Sequence, residues 1–348
     1  MHSLIVCIQG VIYWGGGGSA GRSGARLHHL GMENAELLGE LAPLMADVTV
    51  EEIWINSPTR IYVAREGRPE LTSIVMSTQR VQELVERLLL HSHRRVDLSH
   101  PFVDATLPDG SRLHVAIPTV TAKHWAVNIR KHLVKAHSLA ELEKRGVTSP
   151  DQTAQLLCLI MEGKSILVSG GTHTGKTTML NALLSESPPD NRVITIEEVF
   201  ELDPYVRDLV ALQTREASHG GEGAIDLRRL VKEALRMRPS RIVVGEVRGA
   251  EALDLLIALN AGVPGAASIH ANSAAEAIEK LTLLPLLAGE NLPLNFINSL
   301  IGRVIDAVVH LEIDSESGER YVSEIMGVEW RDGEMQYLHR RRTLQESA

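Results

Sequence analysis

Lys164-Ser-Ile-Leu-Val-Ser-Gly-Gly-Thr-His-Thr-Gly-Lys-Thr-Thr178 is the stretch whose reading decides the fold. Ser165 to Ser169 is a short apolar run of the kind that forms a buried strand, and Gly170 to Thr177 follows at once with the spacing Gly-x-x-x-x-Gly-Lys-Thr of a phosphate loop. Each residue type has a chemical task. Gly170, Gly171 and Gly175 can take backbone angles that other residues avoid. Successive N–H groups through Thr172, His173 and Thr174 then turn inward around a phosphate at a helix N-terminus. Lys176 adds a point charge at the β- and γ-phosphates, Thr177 offers a hydroxyl to Mg²⁺, and Thr178 closes the nucleotide-binding stretch. Met179, Leu180, Ala182, Leu183 and Leu184 continue as an apolar helix that supports the loop from below.

Working outward, strand-like runs recur at Arg192 to Ile196, Arg241 to Gly245 and Ala266 to His270, separated by helical segments. Behind Asp226 as N-cap, Leu227, Leu230, Val231, Ala234 and Leu235 fall on one helical face. Alternating strands and helices predict an α/β domain with a mostly parallel sheet and its ligand at the carboxyl edge. The region before it differs in pattern. A helix over Asn34 to Met45, strands over Val48 to Asn56 and Arg60 to Ala64, and a helix over Thr78 to His91 make a small α+β unit. A hairpin turning at Pro108-Asp109-Gly110 and a strand over Trp125 to Ile129 complete it. The expected organisation is a disordered or mis-started extension over 1–31 with Met32 as the start, an α+β domain over 32–135, a linker over 136–150, and the phosphate-loop domain over 151–348.

The polar residues at the strand ends carry the chemistry. Nucleotide hydrolysis needs an acid to hold Mg²⁺ or polarise water and a cation for the transferring phosphoryl group. Glu246 closes the apolar run Arg241-Ile-Val-Val-Gly-Glu246, the Walker B arrangement, as a catalytic acid that also faces the metal alongside Thr177. Glu197, in Arg192-Val-Ile-Thr-Ile-Glu-Glu198, is the candidate for orienting the attacking water, with Glu198 as its supporting partner. His270 ends a further apolar run and reads as a γ-phosphate sensor.

Bulk properties narrow the class. At 348 residues, 44% hydrophobic and 23% charged, the chain has material for two cores, and no stretch reaches the ~18 uninterrupted apolar residues of a transmembrane helix. A formal charge of −9 argues against nucleic acid as a direct ligand; the basic run Arg340-Arg341-Arg342 is the main local exception. Two cysteines, Cys7 and Cys158, exclude a disulfide framework or Cys-based zinc site and fit a reducing, cytoplasmic setting.

Four boxes together, Gly170 to Thr178, Ile196 to Leu202, Leu230 to Ala250 and Ser268 to Ser273, resemble the type II/type IV secretion ATPase superfamily. The N-terminal stretch Arg94 to Arg112 joins the likeness, which is strongest to the tight-adherence pilus-assembly and conjugal-transfer branch. The resemblance implies a RecA-like domain behind a smaller α+β domain, in a homo-hexameric ring. Such a ring would hydrolyse ATP with Mg²⁺ on the cytoplasmic face of the membrane, against an inner-membrane platform protein of a pilus or secretion machine. It also implies that Arg130 reaches the nucleotide from the N-terminal domain, that Arg215 joins it from beyond the first acidic box, and that Arg236, Arg238 and Arg248 lie near the same sheet edge. His173 stands where a small residue is usual, and Glu198 replaces an Asp. Two other readings stay open, a nucleic-acid translocase on a related core and a nucleotide-binding scaffold without turnover.

Overall fold

The computed structural model describes residues 37–65, 67–91, 94–131, 136–215, 223–289 and 291–341, and it divides into two compact units, Met1–Leu133 and Val134–Ala348. The expected extension over 1–31 and the start at Met32 lie outside the described residues, as do the first residues of the Asn34 to Met45 helix and Cys7.

In the first unit six antiparallel strands form one sheet. They are β1 (Val50–Ser57), β2 (Arg60–Arg65), β3 (Arg68–Leu71), β4 (Phe102–Thr106), β5 (Arg112–Ala116) and β6 (Ala126–Arg130), in the order β3-β2-β1-β6-β5-β4. Alternate residues such as Ile53, Ile55, Ile61 and Val63 face Val81, Leu84, Val85 and Leu88 of helix α2 (Thr78–His91), which follows the short α1 (Ala42–Ala46). The hairpin β4–β5 turns where Pro108-Asp109-Gly110 predicts: Gly110 has φ +84°, and the Asp109 carboxylate accepts from the Ser111 N–H. Strand β3 goes unforeseen because all four of its residues are exposed, so no apolar alternation marks it.

The second unit is a mixed, mostly parallel α/β sheet. Its strands are β7 (Ile166–Gly170), β8 (Arg192–Glu197), β9 (Asp208–Gln213), β10 (Arg241–Val244), β11 (Gly265–His270), β12 (Ala307–Ile313), β13 (Arg320–Arg331) and β14 (Glu334–Arg341). They lie in the order β14-β13-β12-β7-β11-β10-β8-β9, parallel from β12 to β9, with β13 and β14 added antiparallel at one side. Helices α3 (Leu139–Lys144), α4 (Pro150–Met161) and α5 (Lys176–Ser185) bury one face with Ile166, Val168 and Val243. Helices α6 (Leu227–Ala234), α7 (Glu251–Asn260), α8 (Ala274–Leu283) and α9 (Leu294–Val304) bury the other with Leu167, Ile242 and Val244. Two covered faces explain why the strands read as unbroken apolar runs. Residues 136–150 hold α3, whose Leu139 and Leu142 are buried in this core.

Capping follows the sequence. Asp226 accepts from the Arg229 N–H at 2.8 Å, and Ser149 with Gln152 forms a capping box that starts α4. The largest fully buried side chain is Arg241, which donates to the carbonyl oxygens of Ile160, Lys164 and Gly265 and ties the end of α4 to the sheet. Burial pushes its guanidinium down to about 10. Among the described residues no helix is long and apolar enough to cross a membrane.

Candidate nucleotide site

Strand β7, buried throughout, delivers the loop Gly171–Gly175 to the carboxyl edge, and α5 begins at Lys176. Glycine is required at both ends of the loop. Gly170 has φ +154°, and a Cβ there would sit 2.6 Å from both Leu311 O and Thr174 Oγ1; Gly175, at φ +95°, is the N-cap of α5. Lys176 is buried, and its ammonium donates to Gly170 O at 3.2 Å, Gly171 O at 2.7 Å and His270 Nδ1 at 3.2 Å.

From that contact a polar line runs across the strand ends. Lysine is only a donor, so His270 Nδ1 accepts and the ring proton sits on Nε2, which lies 2.9 Å from Glu246 Oε1 as a charge contact outside hydrogen-bond geometry. Glu246 Oε2 accepts from Arg248 Nη2 at 2.6 Å. Burial pushes the Glu246 carboxyl up, but the Arg248 hydrogen bond and charge, with His270 and Lys176, outweigh it and hold it below its ordinary value. Burial first, then the Lys176 charge, keeps His270 below its ordinary value against the pull of Glu246.

A second line starts at Glu197, buried at the end of β8. Its Oε1 accepts from the N–H groups of Glu201 at 2.9 Å and Leu202 at 3.0 Å, and the turn so formed brings Glu201 Oε2 to Thr177 Oγ1 at 3.1 Å. Gly245 makes room for this, since a Cβ there would lie 2.9 Å from Glu197 Cγ. The phosphate loop, two strand-end acids and a histidine therefore share one edge of the sheet.

Residues 27–317 match the family described as Type II/IV secretion system protein. The chain belongs to that family. It is 34% identical over 306 residues, 86% of each chain, to a Mycobacterium tuberculosis protein whose name places it provisionally in conjugal transfer. Similarity extends to the type IV secretion system protein PtlH of Bordetella pertussis, 31% identical over 323 residues that cover 85% of this chain and 94% of PtlH. The fold is shared with the X-ray structure of the Yersinia pseudotuberculosis ATPase DotB, at a TM-score of 0.61 and 15% identity over 85% of this chain and 79% of the other.

Within this secretion-family chain the structure separates residues that the sequence groups together. Glu198 does not support Glu197. Adjacent residues in extended chain point to opposite sides, so Glu197 turns inward onto the turn at Glu201 and Leu202, while the exposed Glu198, just past the end of β8, meets Arg248 Nη1 at 3.3 Å. Of the arginines expected at the sheet edge, Arg248 is the one in contact with the strand-end acids. Arg236 and Arg238 correct the expectation. They precede β10 and so lie toward the amino edge, because each crossover in a parallel sheet returns the chain to the end opposite the phosphate loop. Arg236 pairs with Glu233 at 3.5 Å, and Arg238 sits at φ +54°. Arg215, beyond the carboxyl end of β9, donates its Nε–H to Gly223 O at 2.8 Å. Arg130 belongs to the first unit, on β6, with Glu52 at 3.8 Å.

Glu201 is the site residue that sequence reasoning passes over. Its position four residues beyond Glu197, one turn on from a strand end, is the signal that could have found it.

Proposed function

We propose that this chain is an ATP hydrolase that works as a homo-hexameric ring at the cytoplasmic face of the membrane, powering conjugal transfer, protein secretion or pilus assembly against an inner-membrane platform protein. The observation that carries the reading is the continuous polar line Lys176–His270–Glu246–Arg248 beside the phosphate loop. ATP with Mg²⁺ fits the donors present. The loop is an N–H cradle closed by glycines, and the Thr177 hydroxyl with the carboxylates of Glu201 and Glu246 is an oxygen-only set. Among the described residues no three His, Cys, Asp or Glu side chains gather as a metal cage, in keeping with an ion that leans on substrate phosphates and water. Bound there, Mg²⁺ would neutralise phosphate charge.

The chain's own residues do the rest. Lys176 draws the β- and γ-phosphates and sets the tautomer of His270, Glu197 orients the attacking water, and Glu246 faces the His270 ring. Arg215 reaches the nucleotide from beyond β9, and a cation from a neighbouring subunit completes the site. The test is steady-state ATP hydrolysis measured together with oligomer mass, with and without nucleotide. Specific activity should rise with protein concentration, and adding Lys176→Ala subunits should depress it more than dilution does, since one dead subunit spoils a neighbour's interface as well as its own site. Activity proportional to the wild-type fraction in a sample that stays monomeric would remove the ring. Binding without turnover would leave a scaffold, and DNA-stimulated turnover a translocase.

Acid should weaken the same site. His270 has its proton affinity depressed in the folded state, so neutral imidazole prevails at neutral pH, and its stabilising contribution is lost as pH falls below the ordinary value of 6.5. Protonation removes the Nδ1 acceptor and sets a cation against Lys176. The acid limb of turnover against pH should flatten in His270→Asn. An unchanged limb in that variant would assign it to another group.

A further inference from the structure

Position 173 is the strained point of the phosphate loop. His173 has φ +63°, a left-handed angle that disfavours a residue bearing a Cβ, and it stands between Gly171 and Gly175 in the segment that must wrap a phosphate. Its carbonyl oxygen accepts from Arg320 Nε at 2.7 Å across 147 residues of sequence. The arginine's aliphatic stem runs along the same loop, since a Cβ on Gly175 would meet Arg320 Cδ at 3.6 Å. Arg320 is the first residue of β13, three positions beyond the end of the family match at 317, and no motif in the sequence points to it.

The base of this side chain is firmly placed. Arg320 pairs with Ile313 across the β12–β13 hairpin, whose turn is closed by Asp314 accepting from Glu316 N–H, Ser317 N–H and the Ser317 hydroxyl. Strand β12 in turn pairs with β7, with Leu311 opposite Gly170, so the hairpin and the phosphate loop grow from adjacent strands. A trans peptide holds its C=O and N–H on opposite sides. Drawing the His173 carbonyl toward Arg320 therefore directs the Thr174 N–H away from Arg320.

We propose that Arg320 is a positioning residue for the nucleotide: it fixes the peptide between His173 and Thr174 in the orientation that presents the Thr174 N–H to a phosphate, and it offsets the strain of a side-chain-bearing residue at position 173. The inference rests on reading residues 170–178 as a phosphate cradle. In the absence of that anchor His173 relaxes from its left-handed angle, and the cradle must be rebuilt each time a nucleotide binds.

The experiment is calorimetric titration of the full-length chain with ADP. Arg320→Ala should weaken ADP binding by about tenfold, the order expected for one charge-assisted hydrogen bond. In a His173→Gly background the same substitution should cost clearly less, because glycine holds the left-handed angle without a tether. Arg320→Lys keeps the charge but loses the guanidinium Nε–H, and should fall between wild type and Arg320→Ala. Lys176→Ala serves as the control for the cradle itself. If Lys176→Ala weakens ADP binding and Arg320→Ala does not, the positioning role is overturned and the cradle stands; if neither changes affinity, the reading of the cradle falls too. Full affinity in Arg320→Lys, or an equal loss with and without His173→Gly, would also overturn it by showing charge attraction in place of a tether. Should Arg320→Ala fail to fold, Arg320→Lys compared with and without His173→Gly decides the same question.

Discussion

Lys176→Ala should lower nucleotide affinity and turnover together, by ~10²-fold or more, with the fold retained. The side chain is the cation buried inside the loop, and its ammonium holds three groups at once: the carbonyls of Gly170 and Gly171 and the ring of His270. Alanine leaves the glycine-built backbone cradle in place, so α5 should still start at position 176 and thermal unfolding should move little. On the proposed reading, the lost charge is the one that draws the β- and γ-phosphates. Losing it also leaves His270 Nδ1 without the donor that sets its tautomer, so the alignment of Glu246 suffers as well. ADP titration and steady-state hydrolysis on the same preparation measure both effects. Unchanged affinity and turnover would mean that the site has been misread.

Glu197→Gln should separate binding from chemistry: ATP still binds, and hydrolysis falls by ~10²-fold or more. The structure sharpens the reason for choosing glutamine. Glu197 Oε1 accepts from the N–H groups of Glu201 and Leu202, and the amide oxygen of glutamine can accept the same pair, so the turn that brings Glu201 to Thr177 is preserved. What disappears is the negative charge available to orient water. Glu197→Ala, by contrast, should release the turn and impair binding too. Turnover that survives Glu197→Gln but collapses in Glu246→Gln would transfer the general-base role to Glu246, whose pairing with His270 and Arg248 gives it a firmly ionised carboxylate at neutral pH.

Much of this protein is written locally. The phosphate loop, the buried strands on either side of it, the N-cap at Asp226 and the hairpin at Pro108-Asp109-Gly110 all depend on interactions within a few residues, where glycine freedom, capping and apolar periodicity act directly. The alternation of strands and helices after residue 150 likewise determines the α/β class. Elements whose pattern comes from distant partners stay hidden. Strand β12, parallel to β7, and the antiparallel β13 and β14 beyond it take their place from that pairing and from one another, and β3 is an exposed edge with no periodicity at all.

Only the tertiary structure decides which charged residues meet. Glu197 and Glu198 are adjacent in the chain and face opposite ways, because the pleat alternates and one side is core. Arg236 and Arg238 look close to Glu246 in sequence, yet the crossover places them before β10, toward the other edge of the sheet. Arg241 opens an apolar run in the sequence, and it lies buried because three carbonyls from α4, the following loop and β11 converge on it. Arg320 reaches His173 across 147 residues because parallel pairing sets β12 beside β7. Side-chain charge is a property of a residue, whereas burial, partner and orientation arise from chain crossings that bring distant segments together. That is why the sequence determined the phosphate-loop motif and the fold class, while the partners of each strand-end carboxylate emerged only once the sheet was assembled.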